Sequence, residues 1–268
     1  MKDRTTIMDK TKTVPSYRAH LADGLSVGNG ASGLAGVMIM LAWDDPRALT
    51  LAAMCVFIAW GFDSVDGLAA RGVQRSPAEG AVLDSLCDTS SFGALPAALL
   101  TAYGMRTGGS TLVACIMLGV AYYACAILRL RRYTVDAVGH GGEERTSFQG
   151  VPSPVAAMSV AAATLAAITA PPSLAWLPLA WLPMVFAGVA APMMLSSIRY
   201  EETPRVAAWM VRAVWPLPVL AAIAYAAGNV TVALTVFFAA YLASGVLSRR
   251  TVARSARSAM TPEPESSK

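Results

Sequence analysis

The stretch RALTLAAMCVFIAWGFDSVDGLAAR, residues 47–71, decides the fold because it combines a lipid-compatible run with two carboxylates. From Ala48 to Phe62 there is no charged residue, and most side chains are apolar. At 1.5 Å per residue, a helix over 47–66 spans about 30 Å, the thickness of a bilayer's hydrocarbon core. No water is available there for backbone N–H and C=O groups, so such a segment must be helical. Its C-terminal end nevertheless carries Asp63 and Asp66, which lipid penalises. Seven further apolar blocks lie near 25–43, 81–104, 109–130, 152–170, 174–196, 205–227 and 229–248. The expected fold class is all-α: a polytopic membrane helical bundle.

Composition agrees. Of 268 residues, 55% are hydrophobic and only 14% charged, where a soluble domain carries roughly a quarter charged; the mean hydropathy is +0.51. The net charge of +4 matters less than its placement. Lys2, Arg4, Lys10, Lys12 and Arg18 precede the first block. Arg71 and Arg75 follow the second, Arg129, Arg131, Arg132 and Arg145 the fourth, and Arg199 and Arg205 separate the sixth from the seventh. Arg249, Arg250, Arg254 and Arg257 follow the eighth, while the alternate loops hold only Arg47 and Arg106. The positive-inside rule therefore puts both termini in the cytoplasm. The basic excess reads as membrane orientation and attraction to anionic headgroups, and no nucleic-acid partner is expected.

Residues 1–22 read as a cytoplasmic basic N-terminal segment without a cleavable signal peptide, 23–248 as one transmembrane domain, and 249–268 as a disordered cytoplasmic tail. Cys55, Cys87, Cys115 and Cys125 are scattered through predicted spans and read as free thiols. With only His20 and His140, both in polar segments, histidine-based triads and His-rich metal sites are not expected. The 133–151 loop, with Gly139, Gly141 and Gly142, reads as a flexible connector or, alternatively, as a flap beside a site.

Chemistry concentrates between Asp63 and Asp88. In FDSVDGLAAR, Asp63, Asp66, Gly67 and Ala70 fall at i, i+3, i+4 and i+7, one stripe of a helix. In GAVLDSLCD, Gly80, Asp84 and Asp88 fall at i, i+4 and i+8, again one stripe. A charge at the bilayer centre costs at least about 2.5–3.5 kcal/mol, so such residues usually line a polar cavity. If the stripes face each other, four carboxylates converge and require cations. Hard oxygen ligands suit Mg²⁺ or Mn²⁺, and two such ions about 3.5–4 Å apart clamp an in-line phosphoryl-type displacement. Gly67, Ala70 and Gly80 leave room for a phosphate-bearing ligand, and Arg71 can neutralise a pyrophosphate through forked hydrogen bonds. Helix capping or interfacial charge would explain one or two of these aspartates, Asp63 for instance, but not two stripes with companion small residues.

The segment reads D-x2-D-G-x2-A-R-x8-G-x3-D-x3-D, eight fixed residues over 26 positions, and resembles the signature of the CDP-alcohol phosphotransferases. The resemblance covers about residues 15–200. It implies an intramembrane site open to the cytoplasm, a CDP-linked donor, an alcohol acceptor and CMP as leaving group. It further implies two divalent metal ions on Asp63, Asp66, Asp84 and Asp88, with Asp88 also the general base, and a homodimer. Upstream, A-D-G-L-S-V-G-N (22–29) resembles the family's P-N-x-x-T-x-x-N, with Asp23 for Asn, Ser26 for Thr and Asn29 kept. Asp23 and Gly24 are then expected near the cytidine, with Ser26 and Asn29 in the same donor-binding set. Pro77 stands where relatives carry Ser or Thr, and Ser76 is the candidate to take over that contact.

Two later segments bear on the acceptor. R-L-R-R-Y-T-V (129–135) and F-Q-G-V-P-S-P (148–154) resemble R-L-A-R-F-N and F-x-G-L-P-x-P of the phosphatidylserine synthase branch. Arg129, Leu130, Arg132, Phe148, Gly150, Pro152 and Pro154 match; Arg131, Tyr133, Thr134 and Val151 depart. The branch implies a six-helix catalytic core plus about two further C-terminal spans. It also implies CDP-diacylglycerol and L-serine as substrates in the cell membrane, with Arg129 and Arg132 holding the serine carboxylate. On spacing alone these arginines serve equally as positive-inside anchors. The alternatives are a sibling enzyme using glycerol 3-phosphate, inositol phosphate or choline, and, from another class, an ion-coupled transporter. Transport predicts two repeated halves with broken helices at corresponding places, and no such repeat is evident.

Overall fold

The computed structural model describes residues 16–69, 77–139, 147–170, 178–197, 199–201 and, near the C-terminus, 231, 234–235, 238–239 and 241–242. Its helices are α1 (Ser16–Ala42), α2 (Pro46–Ala69), α3 (Pro77–Asp88), α4 (Leu95–Thr107), α5 (Gly109–Gly139), α6 (Ser153–Thr169) and α7 (Leu182–Leu195). A π-helical turn, Thr89–Ala94, joins α3 to α4, and a 3-10 turn, Leu179–Trp181, leads into α7. The first six predicted spans thus correspond to α1, α2, α3 with α4, α5, α6 and α7. The all-α membrane bundle is the observed fold. Among the described residues, three stretches, His20–Ala42, Arg47–Asp66 and Gly109–Val135, are long and apolar enough to cross a membrane. The predicted seventh span and the tail lie outside the described residues, and the described positions of the eighth are helical.

Two helices extend beyond the predicted apolar blocks. Helix α1 begins at Ser16, ahead of the block predicted from residue 25. Helix α5 continues to Gly139, so the predicted 133–151 loop is helical at its start. That loop ends in β1 (Ser147–Gln149), antiparallel to β2 (Arg199–Glu201), with Phe148 opposite Tyr200. The ladder ties the approach to α6 to the segment leaving α7.

Helix α6 is the central helix. Its SPVAAMSVAAATLAAIT sequence is apolar all round, and Ala156, Ala157, Val160, Ala161, Ala162, Ala163, Leu165 and Ala166 are all buried. A helix apolar on every face is one surrounded by its neighbours. It packs between α2 and α7. Large apolar residues on α1 and α5 instead face outward, among them Leu34, Leu41, Met117 and Val120. That is the expected surface of a bundle whose solvent is lipid.

The π turn follows from Pro96. In a continuous α-helix the Phe92 carbonyl would accept from the backbone nitrogen four residues on, but proline has no N–H and its ring crowds that carbonyl. The helix widens here, and the buried Tyr122 hydroxyl on α5 donates to the Phe92 carbonyl at 3.0 Å. The widened turn also receives α1: a Cβ on Gly33 would lie 2.6 Å from Ser91 Cα, so only glycine allows this approach. Ser90 and Ser91 donate to the carbonyls of Gly30 and Asn29 at 3.0 and 2.9 Å. Tyr122→Phe would leave the Phe92 carbonyl buried without its donor. The expected cost is about 1–3 kcal/mol, read as a lower unfolding midpoint in detergent.

Candidate metal centre and active site

Helices α2 and α3 carry their aspartates to a common point. Oxygens of Asp63, Asp84 and Asp88 lie within 4.8 Å of one another. The i, i+4 spacing of Asp84 and Asp88 places both on one face of α3, and Asp63 approaches from the last turns of α2. Three carboxylates at this separation repel strongly in a low-dielectric surrounding, and their all-oxygen chemistry suits a hard divalent cation. Asp66 is held differently. It is 8% exposed and accepts a hydrogen bond from Ser26 through Oδ2, while its Oδ1 is buried with no hydrogen-bond partner among the described residues. A buried carboxylate oxygen left this way is costly unless a cation or ligand completes it. The residues present therefore fit a divalent metal.

Helix α1 supplies the other wall. Asn29, 0% exposed, donates from Nδ2 to Asp88 Oδ1 at 2.8 Å. The sequence places Ser26 and Asn29 beside the nucleotide; in the structure their side chains contact Asp66 and Asp88. Asp23 is half-buried one turn earlier, and Gly24 faces open space, with nothing within 4 Å of where a Cβ would stand. Gly80 is half-buried on the first turn of α3, and Gly67 lies in the last turns of α2. Ala70, Arg71 and Ser76 lie outside the described residues.

The two arginines part company. Arg129 is close enough to Asp63 and Asp88 to interact with both charges, and its Nη1 donates to Ser153 Oγ at 2.7 Å. Arg132 is exposed and donates to the Leu195 carbonyl at 3.1 Å, bracing the end of α7. Their i, i+3 spacing sets them on neighbouring positions of α5, but their guanidinium groups diverge because Ser153 holds the first and the α7 terminus captures the second.

Sequence reasoning missed the roles of Ser153, Tyr122 and the π turn. A proline at 96 within an apolar span signals a break in the helical ladder, and the dense glycines of α1 signal close approach to a neighbour. Ser153 carries no such signal, because the F-x-G-L-P-x-P pattern leaves its position open.

A model of the CDP-alcohol phosphatidyltransferase family matches residues 19–199. The chain is 33% identical over 155 residues to archaetidylserine synthase of Methanothermobacter thermautotrophicus, covering 57% of this chain and 60% of that protein. It is 31% identical over 142 residues to CDP-diacylglycerol–serine O-phosphatidyltransferase of Saccharomyces cerevisiae, covering 50% of each. To the protein of that name from Mycobacterium leprae it is 30% identical over 142 residues, covering 52% of this chain and 45% of that one. The chain thus spans about half the length of the curated relatives it matches. Because the family match runs from α1 to the first residue of β2, and so takes in every carboxylate of the cluster, the chain belongs to the CDP-alcohol phosphatidyltransferase family.

Proposed function

We propose that this protein transfers a phosphatidyl group from CDP-diacylglycerol to L-serine, giving phosphatidylserine and CMP. The observation that carries the reading is the convergence of Asp63, Asp84 and Asp88 beside Arg129, in a family whose members transfer CDP-linked groups. The names of the similar proteins, each of which includes serine, support serine as the acceptor. The basic residues flanking alternate spans support a cell-membrane enzyme with its site and termini toward the cytoplasm. The family resemblance supports a homodimer.

In this reading Asp63, Asp66, Asp84 and Asp88 hold two divalent ions, Mg²⁺ or Mn²⁺. When bound, these neutralise the pyrophosphate and stabilise charge on the departing CMP oxygen. Asp88 accepts the proton of the serine hydroxyl as that oxygen bonds to the phosphorus bearing diacylglycerol and the bond to CMP breaks. Asn29 holds Asp88 by one oxygen, which fixes the orientation of the other. Arg129 faces the serine carboxylate, for which a guanidinium is the matched partner. Asp23, Gly24, Gly67, Ala70, Arg71, Ser76 and Gly80 form the donor cradle, with Ser26 bracing Asp66. Arg132 is assigned to the acceptor side only through its brace on α7.

The test supplies purified protein with CDP-diacylglycerol and, in turn, L-serine, glycerol 3-phosphate, inositol phosphate or choline, in Mg²⁺ or Mn²⁺. CMP release with serine should exceed that with the others at least about tenfold, the margin that one well-made polar recognition contact confers, and should cease on chelation. Preference for another acceptor would reassign the enzyme to a sibling activity. No CMP with any acceptor would remove the synthase reading and leave ion-coupled transport as the rival.

A further inference from the structure

Ser153 occupies the first position of α6 and is 1% exposed, yet its hydroxyl accepts from Arg129 Nη1 at 2.7 Å. Arg129 Nε is buried and has no hydrogen-bond partner among the described residues. A guanidinium is a flat fork with distinct edges, and a carboxylate pairs with one edge through two parallel bonds. A serine on Nη1 leaves the edge formed by Nε and Nη2 facing away from it. An unanchored arginine would distribute this fork over many rotamers, and that entropy would be lost on each binding event.

The anchor itself is held. Val151 N–H donates to the Met193 carbonyl at 3.1 Å, Gly150 is pressed against the end of α7, and Arg132 braces Leu195. The start of α6 is therefore fixed to α7 immediately before Ser153, while Arg129 arrives from α5. Three helices meet at one hydrogen bond.

We propose that Ser153 is the positioning residue for acceptor recognition: it pins Arg129 by Nη1 so that the Nε edge is presented to the acceptor's carboxylate. The proposal rests on the reading that Arg129 binds that carboxylate. It explains why a buried polar side chain is placed at a position where packing alone would be served by alanine. It also asks of the acceptor an anionic group that offers two oxygens to one guanidinium edge.

The experiment measures CMP release by the full chain against serine concentration for wild type, Ser153→Ala, Ser153→Thr and Arg129→Lys, with ethanolamine as an acceptor that lacks the carboxylate. Ser153→Ala should raise the KM for serine about tenfold, the scale of one lost hydrogen bond to a charged group. The KM for CDP-diacylglycerol should not move, and the preference for serine over ethanolamine should narrow by the same factor. Ser153→Thr, which keeps the hydroxyl, should restore the serine KM. A merely structural role would lower the unfolding midpoint without this acceptor-specific shift. If Arg129→Lys raises the serine KM but Ser153→Ala does not, the Ser153 proposal alone fails. If Arg129→Lys leaves the serine KM unchanged, or wild type does not use serine, the arginine reading fails and takes this proposal with it. If Ser153→Ala does not fold, a Thr variant with a raised serine KM still overturns the proposal, and one with the wild-type value supports it.

Discussion

Asp88→Asn is expected to lower CMP release by at least about 10³-fold while leaving donor binding within a few-fold of wild type, an effect set by the general-base contribution of typically about 10²–10⁴-fold. Asn keeps the size of Asp and retains an oxygen that can accept from Asn29 Nδ2, a bond that is 2.8 Å in the native protein. The substitution therefore preserves the packing of α1 on α3 at a residue only 7% exposed. What it removes is a negative charge and a proton acceptor, and a weakened metal ligand adds to the loss. Binding of CDP-diacylglycerol would be measured directly, by titration calorimetry or by protection against thermal unfolding. Loss of donor affinity to the same degree as turnover would show that Asp88 acts chiefly as a ligand.

Gly150→Ala is expected to destabilise the protein by at least about 2–3 kcal/mol and to impair acceptor use with it, because a strained backbone and an overpacked contact meet at one residue. Its φ of +81° lies in the left-handed region, where a side chain costs roughly 1–2 kcal/mol. An added Cβ would also stand 2.3 Å from the Met194 carbonyl oxygen and 3.1 Å from that of Met193. Those are backbone atoms of α7 and cannot rotate away, so α6 must separate from α7, with an overpacking cost of about 1–3 kcal/mol. Gly108→Ala supplies the control: its φ is +71°, but nothing lies within 4 Å of its Cβ position. The difference between the two unfolding midpoints isolates the close contact. Equal losses would mean that backbone conformation alone accounts for both.

Much of the site is legible in the sequence because helical periodicity is local. The spacing of Asp84 and Asp88 makes them neighbours on one face whatever surrounds them, and the same rule sets Asp63 and Asp66 on their stripe. Arg129 and Arg132 show where the rule stops. Their spacing suggests service to one ligand, but one reaches Ser153 and the other the end of α7. Which direction a long, flexible side chain takes depends on where an acceptor is offered, and both acceptors come from residues distant in the chain. Ser26 and Asn29 behave likewise: their identity is readable along the chain, but their partners Asp66 and Asp88 are not.

That residues 47–66 form a helix long enough to cross a membrane and carrying carboxylates at its end follows from the chain alone, since lipid admits no other backbone arrangement for such a run. So does the set of aspartates that share a helical face. That Asp63, Asp84 and Asp88 form the close trio while Asp66 turns to Ser26 depends on how α1, α2 and α3 meet. The small ladder that precedes Gly150 is likewise a product of tertiary packing, since it pairs residues about fifty positions apart. The physical reason is one of range. A helix closes its hydrogen bonds within four residues, so its existence is written locally. The meeting of two helices depends on every glycine, serine and proline along both surfaces.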